Sequence, residues 1–148
     1  IEACAKKRIG ALIVFEQEIG LKDFIENGIQ LNSNITAELL STVFMPFTPL
    51  HDGAVIIQGS RIAAASCFLP TTSNHSEVAK ELGSRHRAAI GITEITDALV
   101  FVVSEETGQI SKAKGGKLTR GLSMDKVQKL VAAGFGRVTR SRRLFSRK

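Results

Sequence analysis

The sequence has no tryptophan and no tyrosine, and only two cysteines and three prolines among its 148 residues. Any stacking on a flat aromatic ligand, such as a base, would therefore have to come from phenylalanine. Cys4 and Cys67 show no CxxC spacing and no accompanying histidine pattern, which excludes a disulfide framework or zinc site and indicates small buried thiols in a reducing compartment. No apolar run reaches the roughly 18 residues that cross a bilayer, and no signal-peptide pattern is found.

Acidic residues are missing from the last twelve positions, 137–148, which carry six lysines and arginines. Taking those six from the total of 20 leaves 14 basic against 14 acidic residues in 1–136, so the net charge of +6 belongs to the tail. We expect a neutral domain over 1–136 and a basic, disordered, solvated tail over 137–148. Contact of the tail with anionic lipid or nucleic acid is the alternative. Because the first residue is Ile1 and not methionine, we expect a piece of a longer protein.

The length and the 43% hydrophobic content are those of one globular domain with its own core. Short apolar runs bounded by turn residues predict strands, and helical patterns lie between them. We therefore expect an α/β fold, with a mixed central β-sheet flanked by helices in a single domain. The predicted strands are Ile9–Phe15, Ala54–Gln58, Arg61–Phe68, Leu99–Val103, Gln109–Ala113 and Leu118–Leu122, and Ile29–Asn34 is expected to be an extended connector.

Caps and helix breakers predict the helix boundaries. Thr36 is placed to cap a helix that Pro46 ends, and Ser123 is placed to cap a last helix that Gly134 stops. Glu77–Leu82 is also predicted to be helical.

A basic helix start is the first candidate for chemistry. Ser84 is placed to cap a helix over roughly Arg85–Ile92, and its first turn holds Arg85, His86 and Arg87. The partial positive charge of a helix N-terminus favours acids there, so this turn is locally unfavourable unless an anion binds. Backbone N–H groups, a hydroxyl and guanidinium groups together suit phosphate. A cluster of solvated surface charges is the alternative interpretation.

A second candidate stands directly before an apolar strand, at His51, Asp52 and Gly53. Glycine permits a tight turn, and Asp52 can bind a divalent metal or accept a proton from a hydroxyl. An ordinary turn entering a strand is the simpler alternative. Glu105 and Glu106 follow another apolar strand, where they either take part in chemistry or solvate the turn.

Together these motifs resemble the diadenylate cyclase family, whose members make cyclic di-AMP from two ATP. The resemblance rests on LHDGA at 50–54, ELGSRHRAAIGI at 81–92 and VSEETG at 103–108, and it covers roughly Ile9–Leu130. The segments PLHDGA and SEETG are more similar to the membrane-anchored type of the family than to the DNA-scanning type.

The resemblance implies a role for each matching residue. The catalytic residues would be Asp52, which assists deprotonation of the 3′-hydroxyl, and Arg85, His86 and Arg87 at the phosphates. The nucleotide would be bound by Gly53, Ala54, Phe68, Leu69, Ser84, Arg85, Ser104 and Glu105. The divalent metal, Mg²⁺ or Mn²⁺, would be bound by His51, Asp52 and Glu106.

Three features depart from the family's pattern. Ser84 stands where the family often has threonine, which keeps a hydroxyl, and Phe68 stands where it often has tyrosine, which keeps a ring. The loop Thr71–Ser76 also differs, so the rim of the adenine pocket is the part least fixed by the resemblance.

The resemblance also implies the reaction and its partners. Two ATP molecules facing each other would be joined with loss of two pyrophosphates, so each domain supplies half of an active site and a homodimer is needed. We expect the domain on the cytoplasmic face of a membrane-anchored parent protein, with membrane contact only through segments outside this sequence. An adenine-nucleotide-sensing module of the same fold, without turnover, is the alternative. A basic nucleic-acid-binding protein is disfavoured by the neutral body, and we expect no nucleic-acid partner.

Overall fold

One mixed sheet runs through the computed structural model, which describes residues 1–73 and 82–134. Its strands are β1 (Ala11–Phe15), β2 (Ile29–Asn34), β3 (Ala54–Gln58), β4 (Arg61–Cys67), β5 (Leu99–Val103), β6 (Ile110–Lys114) and β7 (Lys117–Thr119). Among the described residues the strand order is β2-β4-β3-β1-β5-β6-β7. β1 and β3 are parallel, and the other neighbouring pairs are antiparallel.

Helices cover both faces of this sheet. Those in the described residues are α1 (Glu2–Lys7), α2 (Lys22–Glu26), α3 (Ala37–Val43), α4 (Ser84–Ile95) and α5 (124–134). Successive β1 side chains alternate between two cores, as the period of a strand requires: Leu12 packs with residues of α2 and α4, and Ile13 with residues of α1, α3 and α5. The predicted α/β fold with a mixed sheet between helices is confirmed.

Ile29–Asn34 is a strand, so the prediction of a connector is wrong. As β2 it pairs antiparallel with β4 from Ile29 opposite Ala65 to Asn34 opposite Arg61, with a register shift between Gln30 and Ser33. It lies at the edge of the sheet and its side chains are exposed or half-buried. An edge strand needs no apolar face, and this one therefore lacks the sequence pattern of a buried strand.

Two predicted helix caps are confirmed. The hydroxyl of Thr36 accepts a hydrogen bond from the Leu39 N–H at 3.0 Å, and the hydroxyl of Ser123 accepts one from the Lys126 N–H at 3.3 Å. Both hydroxyls bond a backbone donor of the first turn that has no partner within its own helix.

The prediction that Ser84 is an N-cap is wrong. The cap of α4 is Gly83, in an extended conformation, and as a glycine it provides no side-chain hydrogen bond to the first turn. Ser84 is the first helical residue, and the helix continues to Ile95, three residues beyond the predicted end. Within the described parts of the chain, the glycine cap therefore gives the N-terminal N–H groups of α4 no capping hydroxyl or carboxylate, which matters for the site described below.

Some predictions fall where the structure gives no description. The helix predicted over Glu77–Leu82 lies outside the described residues except for Leu82, and the end of α5 and the tail 137–148 also lie outside them. Within 1–73 and 82–134, no helix is both long enough and apolar enough to cross a membrane.

The sheet topology brings four strand ends to one side. β1 and β3 are parallel, so they begin at the same edge of the sheet. The last residue of β4, Cys67, pairs with Ala54 at the start of β3, and Val103 at the end of β5 pairs with Ala11 at the start of β1. We call this side, with the starts of β1 and β3 and the ends of β4 and β5, the site edge.

Candidate functional site

The stretches that the sequence singled out meet at the site edge. His51-Asp52-Gly53 precedes β3, Phe68 and Leu69 follow β4, and Ser104–Glu106 follows β5. α4 also begins beside this edge, because residues of its first turn and of the turn after β5 line the same cavity. Segments far apart in the chain are therefore assembled into one region by the strand order.

A small cavity lies between the start of α4 and the turn after β5. Its volume is about 110 Å³. Six of the predicted site residues line it: Ser84, Arg85, His86, Ser104, Glu105 and Glu106. Arg87 is not among the lining residues within the described parts of the chain, consistent with its place two residues, or about 200°, round the helix from Arg85.

The start of α4 is built to receive an anion. The first intrahelical bond runs from the Arg87 N–H to the Gly83 carbonyl at 3.2 Å, so the N–H groups of Ser84, Arg85 and His86 precede the helical ladder. The first turn has no acidic residue and no capping side chain. A phosphate at this position would meet backbone donors, the helix dipole and a basic side chain together.

The turn after β5 is shaped by the Ser104 hydroxyl. Its oxygen accepts hydrogen bonds from the N–H groups of Glu106 at 3.2 Å and Thr107 at 3.3 Å. Gly108 closes the turn with φ 74°, and its N–H donates to the Ser104 carbonyl at 2.9 Å. Glu105 and Glu106 are thereby presented to solvent at the mouth of the cavity, while the hydroxyl proton of Ser104 can still be donated.

Arg85 and Glu105 face each other across the cavity. Arg85 Nη1 lies 3.7 Å from Glu105 Oε2; the arginine side chain is 20% exposed and the glutamate side chain 69% exposed. Such a long and solvated ion pair stabilises weakly. Glu105 therefore orients the guanidinium without holding it firmly.

His86 is half-buried between charged neighbours. Burial lowers its pKa below the ordinary value, the positive charges of Arg120 and Arg85 lower it further, and Glu106 opposes them. The imidazole is therefore neutral near pH 7, with one nitrogen as donor and the other as acceptor.

We expect an NMR titration of the ligand-free protein to give His86 a midpoint below the roughly 6.5 of an unperturbed histidine. Between that midpoint and about pH 6.5 the unfolded chain binds a proton that the folded chain does not, so stability falls on acidification. His86→Asn should remove this part of the pH dependence of unfolding. A His86 midpoint above that of an unfolded histidine would contradict the charge balance described here.

The loop before β3 presents a carboxylate and an imidazole. His51 Nδ1 lies 2.7 Å from the Thr48 carbonyl; a carbonyl only accepts, so Nδ1 carries a proton, and in the neutral tautomer Nε2 keeps a lone pair. Asp52 is exposed, and its Oδ1 accepts the Gly53 N–H at 3.0 Å. Gly53 has φ 79°, and a Cβ there would lie 2.8 Å from the Cys67 carbonyl oxygen, so this turn requires glycine.

These donors fit a divalent cation only in part. An unprotonated imidazole nitrogen and the second carboxylate oxygen of Asp52 are suitable ligands, and Mg²⁺ commonly takes one or two carboxylates and completes its shell with substrate phosphates. Within the described residues, no three His, Cys, Asp or Glu side chains form a group that could bind a metal. Glu106 follows β5, two strands away from the loop before β3, so it does not join His51 and Asp52 within one chain.

Phe68 and Leu69 leave β4 next to this loop. Phe68 is 63% exposed, and Leu69 is half-buried against the core that α4 shares with the sheet. The chain then crosses α4, where the Thr72 N–H donates to the Arg87 carbonyl at 3.1 Å. An exposed ring beside a half-buried leucine offers an apolar surface to a flat base.

Two residues of the cavity, Gln109 and Arg120, lie outside every motif recognised in the sequence and were not predicted as site residues. Gln109 directly precedes β6, which starts at the site edge because Ile110 pairs with Val103. Arg120 follows β7, whose last residue Thr119 pairs with Lys112, and so it reaches the same region. Only the order β5-β6-β7 reveals these positions, since neither residue stands in a recognisable motif.

The family described as DisA bacterial checkpoint controller nucleotide-binding (DAC) matches residues 1–118 of this chain. The chain belongs to this family. The resemblance recognised from LHDGA, RHR and SEETG is thereby confirmed, and the cavity described above lies within or directly beside the matched region.

Relatives within the DAC family are close in sequence. The chain is 51% identical over 140 residues to the cyclic di-AMP synthase CdaA of Bacillus subtilis, covering 95% of this chain and 51% of CdaA. It is 54% identical over 127 residues to the diadenylate cyclase of Listeria monocytogenes, covering 86% of this chain and 46% of that protein. The chain thus spans about half the length of these curated relatives.

Solved structures of similar chains agree with the fold. A double mutant of DacA from Staphylococcus aureus has a TM-score of 0.87 and 54% sequence identity, over 90% of this chain and 89% of that one. A hypothetical membrane spanning protein from Bacillus cereus has a TM-score of 0.78 and 46% identity, over 82% of this chain and 59% of that one.

Proposed function

We propose that this chain is the catalytic domain of a diadenylate cyclase, which condenses two ATP into cyclic di-AMP and releases two pyrophosphates. One observation carries the proposal: the Asp52 loop and the basic start of α4 with its cavity lie at the same site edge. The start of β3 and the end of β5 are two strands apart, or about 10 Å at the usual strand spacing. That separation is on the scale of one nucleotide, with its ribose at the first site and its phosphates at the second.

The roles of the residues follow from charge. Asp52 accepts a hydrogen bond from the ribose 3′-hydroxyl, which increases the electron density on the oxygen as its proton is lost. The N–H groups at the start of α4 and the guanidinium of Arg85 bind the phosphates, and neutral His86 donates one further hydrogen bond. The charge of Arg120 adds to this positive field. His51 and Asp52 would hold a divalent cation, Mg²⁺ or Mn²⁺, which would neutralise phosphate charge and make the hydroxyl more acidic.

The bond changes require two domains. Each 3′-oxygen forms a bond to the α-phosphorus of the facing ATP, and the bond from that phosphorus to the pyrophosphate oxygen breaks. The product has two-fold symmetry, so two bound ATP molecules must face each other across a symmetric pair of chains. The site edge can meet a second copy because Asp52, Phe68 and Glu105 are all exposed there.

We further propose that this domain belongs to a membrane-anchored parent protein and lies on its cytoplasmic side, where ATP is present. Similarity to a Bacillus cereus protein described as membrane spanning supports the membrane anchor. Fractionation of cells that express the parent gene would test the membrane anchor. An antibody to this domain should detect the protein in the membrane fraction, and detection in the soluble fraction alone would contradict the proposal.

Incubation with ATP and Mn²⁺ or Mg²⁺, followed by mass spectrometry of the products, tests the activity. Cyclic di-AMP and pyrophosphate are expected, and chelation of the metal should stop their formation. Formation of ADP or of linear dinucleotides alone would contradict the proposal. Binding of ATP with no product under both metals at high protein concentration would favour the nucleotide-sensing module instead.

A further inference from the structure

The guanidinium group of Arg85 lies against the backbone of a glycine. Gly10 directly precedes β1 and is buried. A Cβ placed on Gly10 would lie 2.6 Å from Arg85 Nη1, 2.7 Å from Cζ and 3.2 Å from Nε. Real Cβ atoms do not come so close, so the guanidinium occupies the space that any other residue at position 10 would fill.

Polar contacts alone do not explain why Arg85 stands there. Its Nε is buried without a hydrogen-bond partner among the described residues, and its ion pair with Glu105 is 3.7 Å long and solvated on the glutamate side. Nε–H is a donor whose burial without an acceptor costs free energy. The open space over Gly10 is therefore a main determinant of the position of the guanidinium.

Gly10 stands at the centre of the site edge. β1 lies between β3 and β5, so Gly10 separates the Asp52 loop from the turn after β5. By the two-residue period of a strand it faces the same side as Leu12, which packs in the core shared with α4. A side chain anchored over Gly10 is thus held midway between the proposed ribose site and the proposed phosphate site.

We propose that Gly10 is a positioning residue for nucleotide binding: its missing side chain sets where the Arg85 guanidinium stands, and thereby the affinity for ATP phosphates. This inference rests on the proposed function. A methyl group at position 10 would meet the flexible end of Arg85 and not backbone, so the arginine moves and the fold remains. The misplaced guanidinium then loses its charged hydrogen bonds to phosphate.

Four variants test this: Gly10→Ala, Arg85→Ala, the double variant, and Gly20→Ala as matched control. A methyl group added to Gly20 would have no described atom within 4 Å, and the φ of Gly20 is not left-handed. The probe is an ATP analogue with a methylene bridge between the α- and β-phosphorus atoms, which measures affinity without turnover. Gly10→Ala should weaken binding by about tenfold or more, as expected for a lost charged hydrogen bond. In the Arg85→Ala background the same change should have no further effect, and Gly20→Ala should bind as the parent does.

Thermal melts of the parent and the same four variants test the contact between Gly10 and Arg85 in the absence of ligand. Gly10→Ala should lower the melting temperature when Arg85 is present and not when it is absent. The proposal would be overturned if Gly10→Ala lowered the affinity or the melting temperature equally in the parent and in the Arg85→Ala variant. It would also be overturned if Gly10→Ala bound the analogue as tightly as the parent does. A parent that binds the analogue but makes no product would refute the proposed function and leave this coupling standing. If the parent does not bind the analogue, the proposed effect of Gly10 on ATP affinity is refuted. The melting temperatures would still show whether Gly10 positions the Arg85 guanidinium.

Discussion

Replacement of Asp52 by asparagine is expected to abolish cyclic di-AMP formation while ATP binding stays within about tenfold of the parent. The Asp52 side chain is exposed, and its Oδ1 accepts the Gly53 N–H, which an asparagine oxygen can also accept. The turn should therefore survive the substitution. Only the negative charge is lost, and with it the group that we propose draws the proton from the 3′-hydroxyl or ligates the cation.

Turnover, ATP binding and thermal unfolding of Asp52→Asn would be measured beside Asp23→Asn. Asp23 is an exposed carboxylate in the first turn of α2, and the cap of that helix, Leu21, bonds through its N–H to Glu16 at the opposite end of β1 from the site edge, so the same chemical change there should leave turnover unaltered. Unchanged activity of Asp52→Asn would refute the assigned role. An unfolded variant would show that the carboxylate supports the turn itself, and the interpretation of Asp52 as a reactive group would then fail.

Turnover per domain is expected to rise with protein concentration until the dimer saturates, and to vanish on dilution far below the dissociation constant. In the proposed mechanism one domain binds one ATP at its site edge, and the attacking oxygen and the attacked phosphorus belong to different ATP molecules. A single domain can therefore hold a substrate without reacting. Turnover per domain should therefore fall toward zero on dilution, which makes this a large effect.

Rates over a wide range of protein concentrations would be compared with association measured by analytical ultracentrifugation under the same conditions. Addition of excess Asp52→Asn provides the matched control, since an inactive domain that still pairs should capture active domains and lower their turnover. A rate per domain that stays constant far below any measurable association would refute the two half-sites. So would a parent rate that the inactive domain leaves untouched.

Buried strands were the best predicted part of the fold. The apolar run from Ile9 predicts a strand buried on both faces, and every residue of β1 is buried. β2 was missed because an edge strand is defined by hydrogen bonds to β4 and not by an apolar face. Its residues carry no local signal of that pairing.

The start of α4 shows where local rules leave a choice. Ser84 and Gly83 are both acceptable N-caps, and the preference for a hydroxyl favoured serine. In the structure the backbone is extended at Gly83 and helical from Ser84 onward, so Gly83 is the cap. The basic first turn was nevertheless correctly predicted, because the order of residues in the sequence fixes it whichever of the two caps the helix.

The predicted site residues were found through short motifs, and those without a motif were missed. Ser84, Arg85 and Glu105 lie in recognisable segments and line the cavity together. Arg120 lines it only because β6 and β7 extend the sheet beyond β5, and Gly10 touches Arg85 only because β1 lies beneath α4. Such neighbours depend on strand order, which no single stretch of sequence contains.

The central claim is that two separate ATP molecules are condensed into one product, and isotope labelling of the two halves of that product tests it most directly. The domain would be incubated with metal and an equal mixture of unlabelled and fully ¹⁵N-labelled ATP, and the products weighed by mass spectrometry. Condensation of two separate ATP molecules predicts three cyclic di-AMP masses, with the mixed species about twice as abundant as either pure one, by random pairing in a symmetric site. Products that contain a single nucleotide, with only the two unmixed masses, would contradict the account.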